Sequence, residues 1–505
     1  MSRIPTTVAA LLFAGFAATG AVDDPVRLTT GQISGVTLPN SDVRVFKGIP
    51  YAAPPTGDQR WRAPAAPVRW DGVRKADQFS PTCMQGNGKQ SSEDCLYLNV
   101  WTGAKTPGEK RPVMFWIYGG GYYTGSGSQS MYDGEALARK GVVVVTFNYR
   151  LGTLGFFSHP DLTRESDRRG AANFGVMDAL AALQWVQKNI AAFGGDPKRV
   201  TIFGESAGSG MVANLLTIPS AKGLFERAIG ESSAWATTQV APLKTLAQAE
   251  QDGVKVAAAL GARSLTDLRA KPAIDILNAG RGDGPVVDGW LIREDPNKVF
   301  AEGKQNDVPV LVGSNRDESF GNARSADAFV EGARKRFGSL ADKYLELYPA
   351  ATDAEAKESA FFSGRNEMAF VMRNWARLES KPGKAKAFVY YFTEQPPRVP
   401  GARGGFAPTT HGSATHVSEI LYVFNHLDNS REWTAQDKQV ADTMSSYWVN
   451  FAATGDPNGK GLPKWPSYKE SPDMPMIFGN PPEGDQAPTA AQMAFFQTYF
   501  DSLVK

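Results

Sequence analysis

The spacing of apolar positions changes along the chain, and each change predicts an element. Residues 26–45 alternate apolar with polar positions and are punctuated by Gly31, Gly35 and Pro39-Asn40, as short antiparallel strands would be. Residues 46–55 contain Pro50, Pro54 and Pro55 and no helical period, which predicts an extended surface segment. Another alternating strand is expected near 96–101. Residues 112–117 and 142–147 are continuously apolar, the pattern of central strands covered on both faces. Over 171–193, Val176, Leu180, Leu183 and Ile190 share one face of an amphipathic helix, which Gly194-Gly195-Asp196-Pro197 should stop. A β-branched and aromatic run, Val200-Thr201-Ile202-Phe203, then breaks into Gly204-Glu205-Ser206-Ala207-Gly208. Beyond it Met211, Val212, Leu215 and Leu216 recur at helical spacing. Residues 308–313 predict a further strand. Residues 320–400 are helix-prone without strong strand runs, which suggests a helical insertion near the mouth of a site, followed by a glycine- and proline-rich loop bearing His411 and His416. Strand, helix and strand in succession point to an α/β fold with a mostly parallel central sheet covered by helices.

Composition narrows the function. The 505 residues are 42% hydrophobic and 21% charged with a net charge of +2, so a large apolar core is available and no basic block marks a phosphate-binding surface. Nucleic acid is therefore not expected as a partner. Met1-Ser2-Arg3 followed by apolar residues 8–21 has the form of a secretory signal peptide, residues 1–21, ahead of one large domain over 22–505. No later stretch approaches the roughly 18 consecutive apolar residues of a spanning helix, so stable membrane insertion is not expected once the signal is removed. The expected location is exported, periplasmic or secreted. In such a compartment the two cysteines, Cys83 and Cys95, are expected to form a bridge, which would contribute roughly 2–3 kcal/mol by restricting the unfolded chain.

The G-x-S-x-G at 204–208 sits between a strand and a helix, the context in which a sharp turn exposes a serine Oγ as a nucleophile. The helix N-terminus beneath it offers free N–H groups and partial positive charge to an oxyanion. A second glycine-rich segment, Tyr118-Gly119-Gly120-Gly121-Tyr122, comes directly after a buried strand. It lacks the last glycine of a dinucleotide fingerprint and the Gly-Lys of a phosphate loop, whereas convergent N–H groups without side chains suit an oxyanion hole. Serine chemistry needs a base and an acid to orient it. In the order serine, acid, histidine, the chain supplies Ser206, then Asp317 or Glu318, then His411 or His416. No metal cluster or cofactor motif is present in the sequence, and none is expected.

These segments together resemble the type-B carboxylesterase/lipase family, which includes bacterial para-nitrobenzyl esterases, fungal lipases and cholinesterases. The resemblance spans nearly the whole mature chain: residues 46–55, 93–101, 118–122, Asn148-Tyr149-Arg150-Leu151-Gly152, 173–178, 193–208, Val287-Asp288-Gly289 and 448–457. It implies an α/β-hydrolase fold. The family's acid lies in an Asn-Arg/Lys-Asp-Glu stretch, which selects Glu318, and its histidine precedes a Glu-Ile/Leu-x-Phe/Tyr-Val-Phe pattern, which selects His416 ahead of Glu419. Gly120, Gly121 and the N–H of Ala207 become the implied oxyanion donors. The implied activity is hydrolysis of small carboxylic esters through an acyl-enzyme. An amidase or peptidase with the same triad and a non-catalytic adhesion-type relative are the alternatives. Cholinesterases place a tryptophan between the corresponding cysteines to hold a quaternary ammonium; residues 84–94 contain no aromatic residue. Tyr122, Tyr123, Trp235 and Phe320 are expected to shape an apolar pocket. Uncharged esters of short to medium acyl chain are therefore expected to be preferred over choline esters.

Overall fold

The computed structural model describes residues 24–504 apart from 167–171, 236–241, Asp283, Phe320, Pro382, Lys384, 399–413, Asp473 and 481–487. The signal segment, His411 and Phe320 thus lie outside the described residues. The apolar runs become a ten-stranded sheet. In chain order its strands are β1 (Val36–Thr37), β2 (Arg44–Pro50), β3 (Tyr97–Thr102), β4 (Arg111–Ile117), β5 (Val143–Phe147), β6 (Gly195–Glu205), β7 (Arg227–Glu231), β8 (Val310–Asn315), β9 (Ala387–Phe392) and β10 (Met476–Phe478). Across the sheet they run β10-β9-β8-β7-β6-β4-β5-β3-β2-β1. Every pairing from β10 through β5 is parallel, and β3, β2 and β1 extend the sheet antiparallel.

Val113 to Ile117 are all fully buried, as are Val143, Val144, Val145 and Phe147. Both faces of these strands are covered, which is why their sequence does not alternate. The helices that matter for the site are α1 (Phe174–Asn189), α2 (Ala207–Thr217), α3 (Asp353–Glu379), α4 (Ala435–Thr454) and α5 (Ala490–Leu503). Helix α2 packs on β6 and β7, α4 on β4 and β6, and α3 on β8 and β9.

Three expectations need correction. Residues 46–55 do not form a surface segment over their whole length: β2 runs to Pro50, and Phe46 and Ile49 are fully buried. The pairing with β3 shifts register between Phe46 and Ile49, where Gly48 takes φ +67°, and Pro50 ends the strand. This bulge lets a proline-bearing segment join the sheet. Helix α1 is buried around most of its circumference rather than along one face. Its Asp178 is held by Arg150 through Nε at 2.8 Å and Nη2 at 2.7 Å, so a charge sits inside without losing its partners. Residues 320–400 are helical over Ala326–Phe337, Ala341–Leu347 and α3, but they also contain β9, which pairs with β8 from Val310↔Ala387 to Asn315↔Phe392. Helix α3 and strand β9 therefore belong to the central layers and not to an insertion. Trp375 of α3 lies so close to β7 that a Cβ on Gly230 would stand 2.3 Å from its ring.

Candidate active site

Strand β6 ends at Glu205, helix α2 starts at Ala207, and Ser206 between them takes φ 56°, ψ −127°. A non-glycine residue in such a conformation costs on the order of 1–3 kcal/mol, which the surrounding packing has to offset. The flanking glycines are required by β4: a Cβ on Gly204 would lie 2.6 Å from the Ile117 carbonyl oxygen, and one on Gly208 only 1.9 Å. The Ser206 amide donates to Glu231 O at 2.8 Å, tying the turn to β7.

His416 is carried to this turn by the packing of the residues on its C-terminal side. Ile420–Val423 forms one helical turn, and the ring of Phe424 meets Trp116 of β4 at 5.0 Å and Phe203 of β6 at 5.6 Å. The residues before His416 are pinned to the end of β8. Asn315 Nδ2 donates to Thr415 O at 2.8 Å, Asp317 N to Ala414 O at 2.9 Å, and Ala414 N to Asp317 Oδ2 at 3.0 Å. Asp317 is also bound by the Arg316 guanidinium at 2.6 Å. It thus serves the loop, while its neighbour Glu318 faces the ring.

The imidazole lies in a continuous chain of contacts. Nε2 is 2.8 Å from Ser206 Oγ, and Nδ1 is 3.2 Å from Glu318 Oε1. Of the other histidines, His159 accepts from the Asp161 amide at the start of the helix Pro160–Glu165, where it caps that helix.

The glycine segment lies against the serine. A Cβ on Gly119 would be 2.9 Å from Ser206 Cβ, and Gly120 and Gly121 take left-handed φ of 99° and 63°. The turn is closed by Tyr123 N and Thr124 N, which both donate to Gly120 O. Gln85, from the loop between the cysteines, holds it from outside: Oε1 accepts from Thr124 Oγ1 at 2.8 Å and Gly125 N at 2.9 Å, while Nε2 donates to Gly125 O at 2.8 Å and Cys83 O at 3.0 Å. Cys83 and Cys95 are bonded at 2.03 Å. The Ala207 amide is the first of α2, with no carbonyl inside the helix to satisfy it. Tyr118 turns away and stacks on Tyr149 with centroids 4.4 Å apart. Of the aromatic residues expected around a pocket, Tyr122 is buried, Trp235 is buried against Phe300, and Tyr123 is 40% exposed.

Three further carboxyl groups surround Ser206, His416 and Glu318. Glu205 Oε1 lies 3.1 Å from His416 Nε2. Glu419 accepts from Ser232 Oγ at 3.1 Å and from Asn315 Nδ2, and Glu231 accepts from Trp448 Nε1 at 2.8 Å. Burial pushes Glu205 and Glu231 well above the ordinary carboxylate range and Glu419 up to about 7, the last helped by the Glu318 charge. Burial opposes the His416 imidazolium, but Glu205, then Glu318 and Glu419, outweigh it and push the ring up to about 10 where those groups are charged. Burial opposes the charge on Glu205, while the His416 imidazolium favours it. The sequence alone does not place Glu205 beside His416 or Gln85 against the glycine turn. The position next to Ser206 is the available signal for Glu205; Gln85 has none.

A mixed, largely parallel sheet flanked by helices, with a serine at a strand-to-helix elbow, defines an α/β-hydrolase. The model of the carboxylesterase family matches residues 23–496. The chain is 38% identical to a fumonisin B1 esterase of Sphingopyxis macrogoltabida, over 91% of this chain and 87% of that protein, and 34% identical to the para-nitrobenzyl esterase of Bacillus subtilis strain 168, over 90% and 96%. Among solved structures, a carboxylesterase of Geobacillus stearothermophilus superposes with a TM-score of 0.75 at 31% identity, covering 94% of this chain and 99% of that one. The chain belongs to the carboxylesterase family and is a carboxylesterase. Among the described residues there is no group of acidic, histidine or cysteine side chains that could hold a metal ion, and no helix is long and apolar enough to cross a membrane.

Proposed function

We propose that this carboxylesterase works through an acyl-enzyme on Ser206, with His416 as base and Glu318 as the group that orients it. The observation that carries this reading is the contact chain from Ser206 Oγ through both ring nitrogens to Glu318 Oε1. Oγ attacks the ester carbonyl carbon as its proton passes to Nε2. The carbonyl oxygen becomes an oxyanion beside the N–H groups of Gly120, Gly121 and Ala207. Collapse of that intermediate breaks the bond to the alcohol oxygen, which takes the proton from Nε2. Water then repeats the sequence on the acyl group and releases the acid. The Glu318 carboxylate accepts from Nδ1–H, which keeps the Nε2 lone pair on Ser206 and supports the imidazolium that forms. A donor lost from the oxyanion site costs about 2.7–4 kcal/mol, so the glycine turn matters nearly as much as the triad.

The preferred substrates are uncharged esters of short to medium acyl chain rather than choline esters, because residues 84–94 supply no aromatic face for a quaternary ammonium. Export to an oxidising compartment, periplasmic or secreted, is the matching location, supported by the apolar stretch 8–21 and the Cys83–Cys95 bond. Intact mass after treatment with an organophosphate tests the nucleophile: the native chain gains one adduct, and Ser206→Ala gains none while staying folded. An adduct of equal stoichiometry on Ser206→Ala would refute the assignment. His416→Ala abolishes 4-nitrophenyl butyrate hydrolysis, whereas His411→Ala changes it only modestly.

A further inference from the structure

Arg281 and Gly284 lie against Tyr123 and Tyr122 of the glycine turn, and Arg281 brings a cation to it. The two ends of their segment, Gly280 and Val286, are fixed. Thr153 Oγ1 donates to Gly280 O, and Asn173 grips Val286 by both its amide groups, accepting from Val286 N at 2.8 Å and donating to Val286 O at 2.9 Å. Between these anchors Gly282 and Gly284 take left-handed φ of 78° and 70°, and a Cβ on Gly284 would stand 3.0 Å from the ring of Tyr122. Arg281 is exposed, and its Cζ lies 3.7 Å from the ring centroid of Tyr123. That ring in turn covers the glycine turn: a Cβ on Gly121 would be 2.3 Å from Tyr123 Cε1. A guanidinium is thereby held one aromatic ring away from Gly121. Stacking uses the face of the guanidinium and leaves its in-plane N–H groups open. Among the described residues no carboxylate forms an ion pair with Arg281; Asp283, two residues on, lies outside them.

We propose that Arg281, seated on Tyr123, is a substrate-carboxylate subsite at the rim of the active site, so that the enzyme also accepts esters bearing a free carboxylate. This extends the range of substrates beyond the uncharged esters and rests on the reading of Ser206 as nucleophile. A planar guanidinium offers a carboxylate two parallel N–H donors. The carboxylate could belong to the acyl part, as in a dicarboxylic half-ester, or to the alcohol part. Both are anions presented at a chain's length from the scissile carbonyl.

The test uses the intact enzyme with two pairs of esters. The mono-4-nitrophenyl ester of adipic acid is compared with the 4-nitrophenyl ester of the branched uncharged acid of the same shape, and 4-butyryloxybenzoate with 4-nitrophenyl butyrate. For each pair the ratio of kcat/KM, anionic over uncharged, is measured in the native enzyme and in Arg281→Ala, Arg281→Glu and Arg281→Lys. At low salt the ratio for one pair is expected to fall about fivefold in Arg281→Ala, further in Arg281→Glu, and to be partly kept in Arg281→Lys; raising the salt should lower it in the native enzyme. The pair that responds tells which side of the ester carries the anion. Ratios unchanged in both pairs, or a parallel loss for anionic and uncharged esters alike, would overturn the subsite. Ser206→Ala is measured alongside. If it retains turnover of all four esters, the assignment of the nucleophile fails, while the ratios still decide the role of Arg281.

Discussion

Replacing Glu205 by glutamine removes a carboxyl group 3.1 Å from His416 Nε2 and keeps its shape. At an effective dielectric of about 20, unit charges about 3 Å apart interact by roughly 5 kcal/mol, or close to four pKa units. The full amount is not available, because burial already resists ionisation of Glu205. A shift of about one unit is the expected residue of the effect. The sign follows from the charge: without an anion beside Nε2 the imidazolium loses support, so the raised pKa of His416 falls. In Glu205→Gln the acidic limb of the kcat/KM profile for 4-nitrophenyl butyrate should move to lower pH by about one unit, and the plateau should drop about tenfold, because the imidazolium that forms during attack is less stabilised. Stopped-flow or initial-rate profiles across the acidic and neutral range, with folding checked by circular dichroism at each pH, measure both. A limb that stays in place, or moves to higher pH, would refute the claim that Glu205 acts on the base.

Glu318→Gln should reduce kcat on the order of 10³-fold with little change in thermal midpoint. Asp317→Asn should instead lower stability by about 3 kcal/mol, since it weakens a buried pair with Arg316, and cost less activity, as thermal unfolding and steady-state rates together will tell. Gln85→Ala removes the three hydrogen bonds to Thr124 and Gly125 that hold the turn at Gly120 and Gly121. A fall in kcat of about tenfold, with a parallel loss of affinity for a trifluoromethyl ketone and little change in KM, is expected; a change in KM alone would count against it. For Glu231→Gln the pH dependence is diagnostic. The native fold keeps this group protonated above its unfolded pKa of 4.5, so native stability declines by about 1.4 kcal/mol per pH unit beyond that point until the folded group ionises. The difference in Tm, mutant minus native, should therefore widen as pH rises above 4.5, and a constant difference would contradict the assignment.

The parts of the fold that are readable without the structure are those in which one local pattern has one physical cause. Residues 112–117 and 142–147 had to be two-sided strands because only Thr146 interrupts their apolar run, and Gly194 had to close the helical run that continues past α1 as the turn Ile190–Phe193, because the chain turns left-handed there, at φ 78°. Strand β9 was hidden although Ala387–Phe392 is rich in aromatic and β-branched residues. It comes so soon after the 27-residue helix α3 that helical propensity dominated the window. In residues 46–55 the prolines pointed to a surface segment, and only the shift in register at Gly48 shows how Phe46 and Ile49 reach the core.

The site divides along the same line. Ser206 could be read from five consecutive residues, but Glu318 lies 98 residues from His416, and His416 lies 210 from Ser206. No spacing rule joins such distances, so family resemblance had to choose between neighbours that the structure separates physically: Asp317 turns to Arg316, and Glu318 to the ring. The surrounding carboxyl groups follow from sheet register. Parallel pairing sets Glu205 beside Glu231, and β8, next in the sheet, ends at Asn315, which holds Glu419. Three adjacent strands thus deliver their polar ends to one edge, the carboxyl edge where open α/β sheets carry their chemistry. Scattered through the chain, each of these acids looks like an ordinary polar residue at the edge of an apolar run. Only the strand order β8-β7-β6 makes them neighbours, and with that order known, Glu205 and Glu231 could have been singled out as paired carboxyl groups at the edge that carries Ser206.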